Sequence, residues 1–230
     1  MGAKELSDLE IEENKHKTLK EISKRNKQAK KFWKGWMHID KLPTQFDARE
    51  SWPKCKTLFD IRDQSRCGSC WAVSAAATMS ARLCIGSKMT DQRYVSAYDI
   101  LTCCPDCGPK NRCNGGGNKD KAFLEWTTRG YVTGGDYNAF PVTVVESCKQ
   151  YPFPMCAHYG MPAQFAVPQC DPSKEHPKFV ADKCVHKCTK GYKKSYWKDM
   201  TYGLFSYTVK GESDMMRDLV TYGPLAVHLT

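Results

Sequence analysis

The stretch Cys67-Gly68-Ser69-Cys70-Trp71, with Gln64 six residues before Cys70, holds the residue types and spacing best suited to chemistry. The chain has thirteen cysteines, an odd number. Six bridges would leave one thiol, and an unpaired thiol in an oxidising compartment needs a reason to exist. Cys70 opens an Ala-rich run through Leu83, so unpaired backbone N–H groups and the helix dipole would favour a thiolate there. Gly68 and Ser69 are small enough to admit a peptide backbone. The Gln64 amide and the Cys70 N–H could together hold an acyl-transfer oxyanion, worth about 3 kcal/mol per donor. Cys70 is therefore the candidate nucleophile.

Two other cysteine chemistries compete with this reading. A thioredoxin-like pair would use Cys67 and Cys70, but that motif carries its Trp before the first cysteine, and here Trp71 follows the second. Zinc could draw on Cys104, Cys107 and Cys113, or on Cys184 and Cys188. No matched second pair stands at finger or ribbon distance. A nucleophilic cysteine also needs a base. His228 lies near the end of the sequence, but Val-His-Leu after Gly223-Pro224 reads as a buried strand. His16, His38, His158, His176 and His186 read as surface or structural residues.

Stepping outward, residues 70–83 are apolar and Ala-rich enough for a buried helix. Ser96 and Asp99 are spaced as a capping box for a short helix running into Cys103. Residues 118–129 place Ala122, Phe123 and Trp126 on one face, with Gly130 as the stop. A last helix runs from Ser213 to Tyr222, closed by Gly223-Pro224. Between 140 and 195, Pro and Cys dominate and no periodicity survives, which reads as a long stapled loop region. Residues 1–41 carry no cysteine and are basic overall, with a sparse apolar set of Leu19, Ile22, Phe32, Trp33 and Trp36. They are expected as a separate helical N-terminal segment, with the main domain over residues 42–230.

The net charge of +10 would suit a nucleic-acid partner, but acidic residues are interleaved throughout, so neither nucleic acid nor a membrane is expected as a partner. No run approaches the roughly 18 to 20 apolar residues of a membrane helix. The cysteine content points to an oxidising compartment, yet no apolar secretory signal is visible at the start.

The blocks Leu42-Pro-Thr-Gln-Phe-Asp-Ala-Arg49, Ile61-Arg-Asp-Gln64, Cys67-Gly-Ser-Cys-Trp71, Leu101-Thr-Cys-Cys104 and Cys113-Asn-Gly-Gly116 together resemble the papain family, in its cathepsin B-like branch of nematode or digestive type. The resemblance implies an α+β papain-like fold: a mainly helical left domain and the beginning of a β-barrel right domain. It implies a lysosomal or secreted cysteine endopeptidase acting through a thiolate and an acyl-enzyme, with no cofactor and no metal. Cys70 would be its nucleophile and Gln64 its oxyanion donor. Gly115, Gly116, Trp71 and His158 would bind substrate. Protein or peptide substrates and cystatin-type inhibitors are the implied partners of a monomer.

The implied disulfides are Cys55–Cys84, Cys67–Cys113, Cys103–Cys184, Cys104–Cys107, Cys148–Cys188 and Cys156–Cys170, which leave Cys70 free. Residues 148–170 resemble an occluding loop, the segment that takes a substrate's C-terminal carboxylate with two adjacent histidines. Here His158 is followed by Tyr159, so endopeptidase action is expected to prevail.

Three departures stand out. The family's Gly-His-Ala block and orienting asparagine are expected beyond Thr230, so the sequence reads as truncated before its base and inactive by itself. Its unpaired strand edges would then be an aggregation hazard. Ser65 stands where the family has Gly, and Val73 where it has Phe, which would strain the backbone and loosen the helix packing. These features motivate an alternative, an inactive papain-like module that binds peptides or a protein partner. Residues 1–41 resemble a propeptide remnant.

Overall fold

The computed structural model describes residues 41–108, 113, 116–137, 146–157 and 184–227. The readings made for residues 1–40, and for Gly115, His158, Tyr159, Cys170, His176 and His228, lie outside them.

Six α-helices follow one another among the described residues: α1 (Ala48–Ser51), α2 (Cys70–Gly86), α3 (Ala97–Cys103), α4 (Lys119–Thr128), α5 (Tyr196–Asp199) and α6 (Glu212–Tyr222). Their starts follow local chemistry. The side chains of Asp47, Ser96 and Asn118 accept from the N–H groups of Arg49, Asp99 and Lys121, capping α1, α3 and α4. The reciprocal half of the expected capping box at α3 is not made. Ser96 N–H donates instead to Val132 O, and the Asp99 carboxylate turns inward. Helix α2 runs three residues beyond the expected Leu83, and Ser87 N–H closes it on Leu83 O.

Helix α2 is the centre of the core. Its Trp71, Ala72, Ala75, Ala76 and Met79 pack with Ile100 and Leu101 of α3, Ala122 and Trp126 of α4, and Tyr131, Tyr151 and Phe153. Alanines combine strong helix propensity with a small profile, so neighbouring helices can approach this face closely. Val73 lies half-buried against the same cluster.

No strand forms among the described residues. Isolated antiparallel bridges pair Val95 with Thr133 and Tyr131 with Thr201. Residues 205–209 and 224–227 form neither helix nor strand.

Buried ion pairs join the segments. Asp99, fully buried, accepts from Lys149 Nζ at 2.7 Å, from Tyr196 OH, and from Val132 N–H. Arg82 of α2 bonds to Asp218 of α6, to Tyr207 OH at 2.6 Å and to Pro224 O at 2.9 Å. Beside this tie, α2, α4 and residues 205–209 and 225–227 line an open-sided pocket of about 310 Å³.

Candidate active site

The N-terminal end of α2 carries the site. Ala72 and Val73 N–H both donate to Ser69 O, at 2.8 and 2.9 Å, which sets the first turn and leaves Cys70 at the helix mouth. The Cys70 N–H belongs to the first-turn amides for which a helix has no internal acceptor. Cys70 is exposed and is the free cysteine among the described residues.

The turn before it is fixed at several points. Cys67 is bonded to Cys113, and Gly68 N–H donates to Cys113 O at 2.8 Å. This brings Cys113 alongside the turn, and Gly116 is exposed with open space at its Cα. The fully buried Ser69 hydroxyl meets Tyr151 OH at 2.6 Å, and Tyr151 OH donates to Gln64 O at 2.8 Å. Gln64 is half-buried. Its backbone thus lies two hydrogen bonds from the residue preceding Cys70. Next to it, Ser65 adopts φ +56, the left-handed region, and its N–H donates to Asp63 Oδ1. The substituted serine therefore sits where glycine would carry no strain.

Trp71 is only 4% exposed and belongs to the core. A Cβ on Gly117 would lie 2.3 Å from the indole, so Trp71 is the floor on which the glycine segment rests. Gly117 escaped the sequence reading, although the run of glycines from 115 to 117 was a signal for close approach. Tyr151 escaped it as well, and nothing in its local sequence marks it.

Five of the implied disulfides are present: Cys55–Cys84, Cys67–Cys113, Cys103–Cys184, Cys104–Cys107 and Cys148–Cys188. Cys156 is also disulfide-bonded. These bonds remove the thioredoxin-like pair and both zinc sets. Cys103, Cys184 and His186 do cluster within 4.8 Å, but the two sulfurs are joined to each other and offer no thiolate to a metal.

His186 is the histidine among the described residues, and it is engaged elsewhere. Its Nε2 lies 3.1 Å from Cys184 Sγ, and its ring packs against Tyr196 and Trp197. Burial, with help from Arg129 and Lys149, pushes its imidazolium below the ordinary range. It is a structural residue, as the sequence suggests.

An exposed free cysteine opens a buried helix, and the Gln64 backbone is tied through Tyr151 to the turn before it. A profile of the papain family cysteine proteases matches residues 42–230. The chain belongs to the papain family. Within it, the chain is 39% identical over 203 residues to cathepsin B-like cysteine proteinase 6 of Caenorhabditis elegans, covering 84% of this chain and 50% of that one. It is 40% identical over 185 residues to the cathepsin B-like cysteine proteinase of Schistosoma japonicum, covering 80% and 50%. Among solved structures, procathepsin B S9 from Trypanosoma congolense superposes with a TM-score of 0.56 at 29% identity, over 80% of this chain and 50% of that one. The chain spans about half the length of the relatives it matches.

Proposed function

We propose that residues 42–230 supply the nucleophilic half of a cysteine endopeptidase site. The observation that carries this reading is Cys70, an exposed free thiol at the mouth of α2, where the other described cysteines are held in disulfides. The thiolate attacks the scissile carbonyl, forming the S–C bond. The Gln64 amide and the Cys70 N–H donate hydrogen bonds to the oxyanion, and the amine leaves to give an acyl-enzyme that water hydrolyses. Gly115 and Gly116 align the peptide as an added strand, over Trp71. The base is a histidine other than His186. Substrates are proteins or peptides, cleaved in an acidic, oxidising compartment. Cystatin-type inhibitors would compete for the same cleft.

The test is hydrolysis of an internally quenched peptide by the protein isolated from its source, with free and amidated C-termini compared. Cys70→Ser should abolish cleavage, and amidation should change the rate little. A strong preference for the free acid would instead assign a carboxypeptidase action, with His158 capturing the carboxylate.

A second reading has one observation in its favour. Ser65 strains the backbone beside Gln64, as a module relieved of catalysis could tolerate. Peptide binding without any Cys70-dependent hydrolysis would select that peptide-binding module.

A further inference from the structure

Gln64 lies in a stretch without helix or strand, yet an oxyanion donor must be held to a fraction of an ångström. Something outside that stretch has to fix it. The fixed point in the structure is a phenol. A carbonyl oxygen only accepts, so Tyr151 OH is the donor in its 2.8 Å bond to Gln64 O. With that proton committed, the Tyr151 oxygen accepts from Ser69 Oγ at 2.6 Å. The order Ser69 to Tyr151 to Gln64 therefore follows from the chemistry of the three groups. Both hydroxyl-bearing residues are buried, Ser69 at 0% and Tyr151 at 2% exposure. Burial pushes the Tyr151 phenol above its ordinary range, the Ser69 bond opposing, so it remains a donor.

The phenol itself hangs from a rigid support. Tyr151 N–H donates to Gly135 O at 2.9 Å, and its ring meets Phe153 edge-on at 4.8 Å. Two residues back, Lys149 pairs with Asp99, and its carbonyl accepts from Ser96 Oγ at 2.6 Å. Gly134 lets that carbonyl approach, since a Cβ there would lie 1.9 Å from it. Cys148 is bonded to Cys188.

We propose that Tyr151 is a positioning residue of the acyl-transfer site, its hydroxyl holding the Gln64 backbone in register with the turn that presents Cys70. The proposal rests on the roles given above to Cys70 and Gln64.

Two thiol reactions separate positioning from mere structure. In acyl transfer from p-nitrophenyl acetate, the Cys70 sulfur bonds to the carbonyl carbon, an oxyanion forms, and p-nitrophenolate leaves with the C–O electron pair. In alkylation by iodoacetamide, sulfur displaces iodide from a saturated carbon and no oxyanion arises. Both rates are read on the full chain at mildly alkaline pH, as mass change of the Cys70 peptide. Their ratio cancels the thiolate fraction, because both consume the same thiolate.

Gln64→Ala should lower the acylation-to-alkylation ratio on the order of a hundredfold. Tyr151→Phe, which keeps the ring, should lower it about tenfold, and Ser69→Ala about threefold, with alkylation within twofold of the parent. If Gln64→Ala lowers the ratio while Tyr151→Phe and Ser69→Ala leave it unchanged, the positioning role is overturned and the site reading survives. If Tyr151→Phe and Ser69→Ala each depress both rates in parallel, the tyrosine is structural and the proposal is overturned. If Gln64→Ala leaves the ratio untouched, the oxyanion role of Gln64 falls, and the proposal with it.

Discussion

Ser65 shows how one side chain bears on the site from the backbone outward. Its φ of +56 is ordinary for glycine and costly for an L residue, and it directly follows Gln64. Ser65→Gly is expected to stabilise the chain by about 1 kcal/mol, seen as a higher urea midpoint at unchanged slope. A lower midpoint would show that the buried Ser65 hydroxyl, 3.7 Å from Cys156 Sγ, contributes more than the strain it carries. Cys70→Ser, the other single-residue test, changes the nucleophile alone and should remove hydrolysis without moving the midpoint. The side chain is exposed, so little packing depends on it.

At the scale of elements, the segment that delivers Tyr151 depends on α3. Lys149 Nζ and the Asp99 carboxylate form a nearly dry pair, with side chains 9% and 0% exposed. Such a pair adds little over a well-packed apolar substitute, but removing one partner strands the other charge. Lys149→Met should therefore cost about 3 kcal/mol in urea unfolding, softened by the Tyr196 and Val132 donors that Asp99 retains. It should also loosen residues 148–153, lowering the acylation-to-alkylation ratio at Cys70 as Tyr151→Phe does. A loss of stability with that ratio intact would mean that the disulfide from Cys148 holds the segment unaided.

Across the whole molecule, acidity is a stabilising condition through Asp136. Burial, partly opposed by Arg62, lifts its carboxyl from 3.8 to about 6. Below 3.8 the folded and unfolded chains both hold the proton. Between 3.8 and about 6 the folded chain keeps a proton the unfolded chain has released, so stability falls as pH rises through that window and stays lower above it. The melting temperature of Asp136→Asn, which cannot ionise there, should fall less between about pH 4 and pH 7 than that of the parent. Parallel profiles for the two proteins would exclude Asp136 as a source of acid preference. This direction suits a protein working in an acidic compartment, the setting proposed above.

The free Cys70 thiol and the helix it opens were legible because each rests on local chemistry. Ala-rich propensity starts α2, small residues open the turn, and an odd cysteine count asks for one free thiol without naming it. The disulfide pairs were available only through family resemblance, because spacing does not encode connectivity. The burial of Trp71 was hidden for a related reason: adjacency to Cys70 says nothing about which side of the helix the packed core occupies. Asp99 has capping spacing, yet its carboxylate is claimed by Lys149, 50 residues away. Tyr151 is the clearest case, bonding partners 82 and 87 residues distant that share no pattern with it. Backbone preference acts within a few residues and can be read along the chain. Burial and cross-segment hydrogen bonds depend on which surfaces meet when the chain collapses, and only the tertiary structure decides that.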